Sequence, residues 1–487
     1  MTTRMGTGIL WSRYNVLFES PRFGPFLYNA VSNALLDLDD EHYRRLAEMR
    51  DRGGAGAPPA APPGQAPSVD ADFFSVLREH GMLVDEGADD AALLALRYER
   101  LSRCFDTSTL SLTICPTLGC DFRCVYCFED SQADATVMSP DTIAALMAFI
   151  RTFKDARRLK ITWYGGEPTL AWHVIEDITR QVDELDLEFE GASLVTNGYG
   201  LDEARIARLD DLKIKDVQIT LDGPADIHDV RRPLAGGGAT FARIIGNVRA
   251  LEASTYGGWC RVRVNVDDDN VVRVAEVWPF LADAGEGGRM SAYPARVESD
   301  GPEVMGPLLG NREWAAVETG LQRSGAWPCA GGSYPSAQDG ICTATGATSF
   351  VIGPEGELYK CWESVGKAAW SIGHISSRSH TPAALSADYA LALDPFVDDS
   401  CGRCVVLPVC GGGCVHKRLL ARRAGRPLCS SPFKDHLAEY LDEYYDAWLA
   451  RALCAVDLPL DEQSRRRRGY RPVHPAAVAR APEPSQT

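Results

Sequence analysis

The sequence contains no run of about 18 or more apolar residues, the length that a membrane-spanning helix needs. Residues 1–11 lack a basic segment followed by a long apolar stretch, so we expect no secretory signal. Basic residues are in deficit, with 50 Lys and Arg against 67 Asp and Glu and a net charge of −17. A general nucleic-acid-binding surface would have to be basic. These absences predict a cytoplasmic protein without a membrane or nucleic-acid partner.

Cysteine, by contrast, is abundant, with 15 residues in a chain of 487. Cytosolic thiols stay reduced, so this abundance favours metal or cluster ligands over disulfides. Buried free thiols that behave as small apolar groups are the simpler alternative. Ten of the cysteines fall into two spaced groups, which favours ligation, and the other five are Cys104, Cys115, Cys260, Cys329 and Cys454.

Residues 1–105 predict a small N-terminal α+β module. Residues 14–18 and 26–28 flank a Pro-Arg-Phe-Gly-Pro turn and favour a β-hairpin. Helical patterns follow near residues 39–50 and 73–80, and a short strand is expected at 81–84. Such a module is either a winged-helix-like peptide-recognition element or an extension of the next domain.

Residues 106–310 alternate between strand and helix patterns, which predicts a parallel sheet covered by helices. Ligands of such sheets gather at the carboxyl ends of the strands. The predicted strands are 110–114, 159–164, 192–195, 216–221 and 260–266, and the predicted helices are 141–152, 174–184, 202–209 and 241–253.

Residues 311–455 predict a loop-rich domain organised by bound metal rather than by a large apolar core, with a helix at 434–453. Residues 456–487 contain the basic run Arg465 to Arg468, after which the sequence is rich in Pro and Ala. This composition predicts a disordered, solvated tail, with peptide binding as the weaker alternative.

The first cysteine group, Cys120, Cys124 and Cys127, directly follows the first strand predicted in 106–310. Three thiolates can bind three irons of a 4Fe–4S cluster and leave the fourth iron open. That iron can chelate the amino and carboxyl groups of a cosubstrate. Structural zinc sites usually have four protein ligands, so zinc fits this spacing less well.

This motif resembles that of the radical S-adenosylmethionine (radical SAM) superfamily, and further motifs of that family follow in order. The resemblance implies a partial, TIM-like (β/α)6 barrel in an α/β fold, and a 5′-deoxyadenosyl radical that removes a substrate hydrogen. Gly165, Gly166, Glu167 and Pro168 resemble the segment that binds the methionyl amino group. The other S-adenosylmethionine contacts that the resemblance implies are Tyr126 near the adenine, Thr220 at the ribose, Arg232 at the carboxylate, and Thr196, Asn197 and Asp222 at strand ends.

The second cysteine group resembles the SPASM extension of radical SAM enzymes, which holds two auxiliary 4Fe–4S clusters. The resemblance assigns Cys342, Cys361 and Cys414 to the first auxiliary cluster, and Cys401, Cys404, Cys410 and Cys429 to the second. One position of the first cluster is then open or filled by Cys329. A pair of zinc sites is the structural alternative.

SPASM enzymes mostly modify peptides, so the resemblance implies a precursor peptide with a leader as substrate and a flavodoxin or ferredoxin as reducing partner. Anaerobic sulfatase maturases, which form formylglycine, have an aspartate directly after the cysteine that matches Cys361. Here that residue is Trp362, which favours the branch that crosslinks ribosomally made peptides. An iron–sulfur electron carrier or redox sensor is the remaining alternative. Candidates for proton transfer are Glu363, Asp222, His228 and Tyr293, and none is assigned as the base.

Overall fold

The protein is seen in a computed structural model that describes residues 8–51, 69–129, 135–284, 288–298, 308–323, 334–335, 342–377, 384–427, 429, 431, 433–454 and 470–473. Within these residues, no helix combines the length and the apolar character that crossing a bilayer requires. Cys329, named above as a candidate ligand, lies outside the described residues.

The amino-terminal part of the chain forms the α+β module that the sequence predicts. Its elements are β1 (Ile9–Trp11), β2 (Asn15–Ser20), β3 (Gly24–Asn29), β4 (Ala34–Leu38), α1 (Asp40–Asp51), α2 (Val69–Glu79), β5 (Leu83–Asp85) and α3 (Ala88–Cys104). The predicted hairpin is β2 and β3, which pair antiparallel across the Pro-Arg-Phe-Gly-Pro turn.

The central part alternates strands and helices, as predicted. Its elements are β6 (Thr109–Ile114), α4 (Pro140–Ile150), β7 (Arg158–Trp163), α5 (Trp172–Val182), β8 (Glu188–Thr196), α6 (Glu203–Ile206), β9 (Ile214–Leu221), α7 (Ala225–Arg231), α8 (Phe241–Ala253), β10 (Trp259–Val266), α9 (Trp278–Ala284) and β11 (Met290–Arg296). Strands β6 to β11 pair in chain order, each parallel to the next. This is the predicted α/β fold with six parallel strands.

The carboxyl-terminal part has short elements separated by loops. They are α10 (Asn311–Arg323), β12 (Ser349–Ile352), β13 (Glu357–Tyr359), β14 (Gly373–His374), α11 (Ala384–Ala387), α12 (Asp399–Gly402), α13 (Leu407–Cys410), α14 (Val415–Arg423), α15 (Phe433–Cys454) and β15 (Tyr470–Val473). Helix α15 matches the helix that was predicted at 434–453. The predicted helix at 202–209 is shorter than expected, since α6 makes a single turn.

Strand β12 pairs parallel with β6, and β13 and β14 continue antiparallel. The parallel sheet of the central part therefore extends directly into the carboxyl-terminal part. The chain leaves β13 at Tyr359 and reaches Cys361 two residues later. The next residue, Trp362, stacks on the Tyr164 ring after β7, so this part of the second cysteine group lies near the first group.

Strand β15 lies in the predicted tail and pairs antiparallel with β4 of the amino-terminal module. For residues 470–473 the prediction of disorder is therefore wrong. The reason is burial: Val473 is 2% exposed and packs with Tyr28 and Leu35 of the module and with Tyr444 of α15. The composition of the tail is mostly polar, and it did not indicate that Val473 would be buried.

Candidate active site

The first cysteine group lies on a loop after β6 that is held by backbone hydrogen bonds to the segment after α7. The amide nitrogens of Arg123 and Val125 donate to the carbonyl oxygens of Pro233 and Arg231, at 2.9 and 3.0 Å. Cys120 and Cys124 are half-buried and Cys127 is exposed. The loop is thus fixed in place while its thiols face an opening.

Gly165 and Gly166, after β7, bring the backbone of that strand end against the cysteine loop. A Cβ on Gly166 would lie 2.2 Å from the Leu118 carbonyl oxygen, and one on Gly165 would lie 2.3 Å from that of Thr117. Gly165 also has a φ of +116°, in the region that favours glycine. Glycine at both positions therefore allows the close approach that positions the loop.

The Glu167 side chain is directed into the protein rather than toward the opening. It is fully buried, and its carboxylate accepts hydrogen bonds from the Thr196 hydroxyl and the Asn197 amide nitrogen, both at 2.7 Å. It also accepts from the Thr169 hydroxyl at 2.6 Å. Burial raises the pKa of Glu167, and these hydrogen bonds lower it again. The carboxylate joins the ends of β7 and β8, which is a structural role.

Tyr126 is the centre of a buried polar network at the ends of β9 and β10. Its hydroxyl donates to the Asp222 carboxylate at 2.7 Å and accepts from Arg232 at 2.7 Å and from the Asn265 amide at 2.9 Å. Arg231 joins Asp222 to Asp267, with contacts of 2.9 and 2.6 Å. The buried charges are thus paired, which the low-dielectric interior requires.

These elements surround a cavity of about 380 Å³ at the carboxyl ends of the strands. Most of the S-adenosylmethionine contacts predicted from the sequence line it, together with all three cysteines of the first group; the contacts are Tyr126, Gly165, Gly166, Thr196, Asn197, Thr220 and Arg232. Glu167, Pro168 and Asp222 do not line it. For these three residues the structure shows support of the cavity wall and no exposure to the cavity.

The cavity wall has the chemistry that S-adenosylmethionine needs. Arg232 is buried and lines the cavity, and its Nε has no hydrogen-bond partner among the described residues. Its guanidinium is suited to the methionyl carboxylate, because arginine binds carboxylates through two parallel N–H groups. Three thiols at the same opening suit a 4Fe–4S cluster with one open iron.

The second cysteine group also reaches this cavity. Trp362 and Glu363, directly after Cys361, line it, and the Trp362 indole stacks on the Tyr164 ring with centroids 5.5 Å apart. Burial raises the pKa of the Cys361 thiol, and the nearby Cys342 and Cys414 raise it further. The three cysteines that resemble first-cluster ligands are therefore close together.

The other four cysteines of the second group surround α12 and α13. Burial raises the pKa of the Cys404 thiol, to which Cys410 and Cys429 are electrostatic neighbours. The buried Arg418 guanidinium donates to the Cys401 sulfur at 3.2 Å. Asp398 caps α12 by accepting from the Cys401 amide nitrogen at 2.9 Å, which fixes the backbone of that cysteine.

The structure adds site residues that the sequence analysis did not identify. Gln218 and Arg263 line the cavity from β9 and β10, because alternate residues of a strand face the same side. His416 lies beside Cys361 and Glu363, and one donor atom from each of the three lies within 4.8 Å of the others. His416 is distant in sequence from both residues, so no local motif could have revealed this group.

Comparison with known families supports the assignment of the central part. Residues 114–263 match the profile of the Radical SAM superfamily. This segment contains the three-cysteine loop and strands β7 to β9, so the central part of the chain is similar to radical SAM enzymes.

Two relatives are sulfatase-maturating enzymes. The chain is 30% identical to a cysteine-type anaerobic enzyme of Clostridium perfringens over 147 residues, which cover 28% of this chain and 39% of the relative. It is 24% identical to a serine-type anaerobic enzyme of Klebsiella aerogenes over 330 residues, which cover 61% and 77%. The first match thus spans about two fifths of that relative's length.

Among solved structures, native anSMEcpe with bound AdoMet and the Cp18Cys peptide is similar to this chain. The TM-score is 0.53 at 19% sequence identity, and the match covers 70% of this chain and 97% of the other. At this identity the similarity concerns the fold. It covers the central barrel together with parts outside the segment that matches the family profile.

Proposed function

We propose that this protein is a radical SAM peptide maturase that joins two side chains of a ribosomally made precursor peptide through a thioether or carbon–carbon bond. One observation carries the proposal: a single cavity is lined both by Cys120, Cys124 and Cys127 and by Trp362 and Glu363 beside Cys361. A peptide side chain in this cavity would lie between two sites suited to redox chemistry.

S-adenosylmethionine, cleaved reductively at a 4Fe–4S cluster, supplies hydrogen-atom abstraction when it is bound. The residues of this chain orient it: Arg232 is suited to the carboxylate, Thr220 to the ribose and Tyr126 to the adenine. The Tyr126 network is fixed before any ligand binds, so little reorganisation is needed. The apolar and aromatic parts of the wall exclude water from the reacting carbon.

Joining two side chains removes two hydrogens from the peptide. One leaves as a hydrogen atom by abstraction, and the other leaves as a proton and an electron. We infer that Cys342, Cys361 and Cys414 would hold a first auxiliary 4Fe–4S cluster, which would supply an acceptor for this electron, and that Cys401, Cys404, Cys410 and Cys429 would hold a second. The proximity of Cys361 to the cavity supports this route.

Formylglycine formation is the second candidate, because two relatives of this chain are sulfatase-maturating enzymes. The residue after Cys361 argues against it. Trp362 has no proton-accepting group on its indole and stacks on Tyr164, where the resembling maturases have an aspartate. We therefore favour crosslinking.

The amino-terminal module, residues 1–105, is proposed to bind the leader of the precursor peptide. Strand β2 is an edge strand of its sheet and can pair with an extended peptide, whereas β4 on the other side is covered by β15. A flavodoxin or ferredoxin is proposed to supply the electron for S-adenosylmethionine cleavage.

The test is anaerobic co-expression with each short open reading frame that flanks the gene, followed by tandem mass spectrometry of the peptide. We expect a loss of two hydrogens per crosslink and missing fragment ions between the joined residues. Formylglycine made from serine also loses two hydrogens, so every product is treated with a hydrazide probe for aldehydes. The control is the same experiment with Cys120, Cys124 and Cys127 all changed to Ala.

A hydrazide-reactive product would contradict crosslinking and support the second candidate. Unmodified peptide in all pairings, from enzyme that cleaves S-adenosylmethionine, would contradict both candidates. Enzyme that contains iron and sulfide but yields no 5′-deoxyadenosine would instead support an electron carrier.

A further inference from the structure

We propose that His416 is the fourth protein ligand of the first auxiliary cluster, coordinating iron through Nε2. The inference deepens the proposed function and rests on it, because three cysteines leave one cluster position to be explained. It concerns residues that the structure brings together from two separate segments, β13 with its following loop and α14.

Proximity is the first argument. Donor atoms of Cys361, Glu363 and His416 all lie within 4.8 Å of one another. His416 is two residues from Cys414, another ligand proposed for this cluster, at the start of α14. The imidazole is therefore beside the Cys361 thiol, and its helix starts at the Cys414 ligand.

Orientation of the ring is the second argument. The Tyr389 hydroxyl lies 2.6 Å from His416 Nδ1, and both side chains are buried. Nε2 is directed toward Glu363, with 4.0 Å between it and the carboxylate oxygen. A metal-bound histidine commonly donates its other ring N–H to an oxygen atom, which fixes the tautomer and the orientation of the ring. Tyr389 is suited to be that positioning residue.

The choice between His416 and Glu363 follows from burial and ligand type. The Glu363 side chain is 26% exposed and lines the cavity, whereas the His416 side chain is 4% exposed. Imidazole is an established iron ligand in iron–sulfur proteins, while carboxylates suit harder cations. We therefore assign Glu363 to the cavity, where the substrate would bind, and His416 to the buried cluster.

A cluster with four protein ligands has no iron free to bind a substrate thiolate. The proposal therefore assigns electron transfer, not substrate binding, to the first auxiliary cluster. It also separates two alternatives that the cysteine spacing left open, since neither an open iron nor Cys329 would then complete the site.

The test is pulsed electron paramagnetic resonance of the full chain, reconstituted with iron and sulfide and singly reduced. Cys120, Cys124 and Cys127 are changed to Ala so that only the auxiliary clusters give a signal. We expect the strong ¹⁴N coupling of a bound imidazole. His416→Cys should keep the iron content and lose this coupling, and His173→Ala, at an exposed position on α5, should keep both.

No imidazole coupling in the parent, or a coupling that persists in His416→Cys, would overturn the proposal. Cys329→Ser should change neither the iron content nor the coupling, and loss of the cluster in that variant would assign the position to Cys329. Because no peptide is present, these outcomes are independent of whether crosslinking is the reaction.

Discussion

The two cysteine groups of this protein are held in place by different means. The loop with Cys120, Cys124 and Cys127 follows β6 and borders the apolar core formed by β6–β11 and their helices. The region around Cys361 has a much smaller apolar cluster, which includes Ala344, Tyr389 and Leu419. The first cysteine group is thus attached to a large packed barrel, whereas the second group lies on short helices and strands joined by loops.

The comparison shows how much each site depends on its metal. Apolar burial contributes about 25 cal/mol for each Å² removed from water, so the barrel has a large source of stability that needs no ligand. Helix α12 has no buried residue and α13 is a single turn, so we expect their order to depend strongly on ligand binding. We expect the first site to keep its shape without a cluster and the second to lose it.

The largest effect should follow from removing the first group. Changing Cys120, Cys124 and Cys127 to Ala should abolish formation of 5′-deoxyadenosine, because no thiolate then holds the cluster. The barrel should still fold, since these side chains are only partly buried. The measurements are liquid chromatography of the reduced reaction mixture and a circular dichroism spectrum.

Cys260→Ala is the matched control, because this thiol is also in the barrel but is buried in β10, away from the cavity. It should lower stability by about 1 kcal/mol and leave S-adenosylmethionine cleavage intact. Cleavage at the parent rate in the triple variant would contradict the assignment of the first group.

The second effect should appear when all metal is removed. In chelator-treated protein we expect amide hydrogen exchange across α12, α13 and α14 to rise by about two orders of magnitude, as the loss of a few kcal/mol of binding free energy implies. Strands β6 to β10 should keep their protection. Mass spectrometry of peptic fragments measures both regions in one sample.

Equal loss of protection in both regions would show that the barrel also depends on its cluster. No loss in either region would show that the carboxyl-terminal part is ordered by packing alone. Either result would remove the distinction between the two regions.

The sequence predicted most of the barrel because its strands are apolar runs with the period and length of buried parallel strands. It predicted the cavity residues where a motif is local, as with Gly165 and Gly166. It could not predict that Glu167 is directed inward, because that depends on Thr196 and Asn197 of the next strand. The family resemblance identified residues 165–168 as part of the site, but which of their side chains face the cavity depends on packing with β8.

Contacts between distant segments explain the remaining differences. His416 is 55 residues from Cys361 in sequence, and the packing of α14 against Cys361 and Tyr389 brings the two together. Strand β15 was missed because a four-residue strand in a polar tail has almost no pattern of its own. Local periodicity carries no information about such pairings.

The smallest expected effect is a pH dependence of stability that comes from one buried neutral histidine near the first cysteine group. His228 on α7 is fully buried, and its Nδ1 accepts from the Asp222 amide nitrogen at 3.2 Å. Burial, with the nearby cations of Arg232 and Arg231, lowers the pKa of His228 to about 2. The unfolded chain, with a histidine pKa near 6.5, binds the proton more readily, so stability falls as pH decreases below about 6.5.

Between pH 7 and pH 5 this one group should lower the free energy of unfolding by about 2 kcal/mol. His228→Asn keeps a hydrogen-bond acceptor but cannot titrate in this range, so its thermal midpoint should fall less over the same interval. His173→Asn, at an exposed position on α5, is the matched control and should give the curve of the parent. Parallel curves for the parent and His228→Asn would mean that His228 is protonated in the folded protein, and the polar support of the first site would then not be preformed in its neutral state.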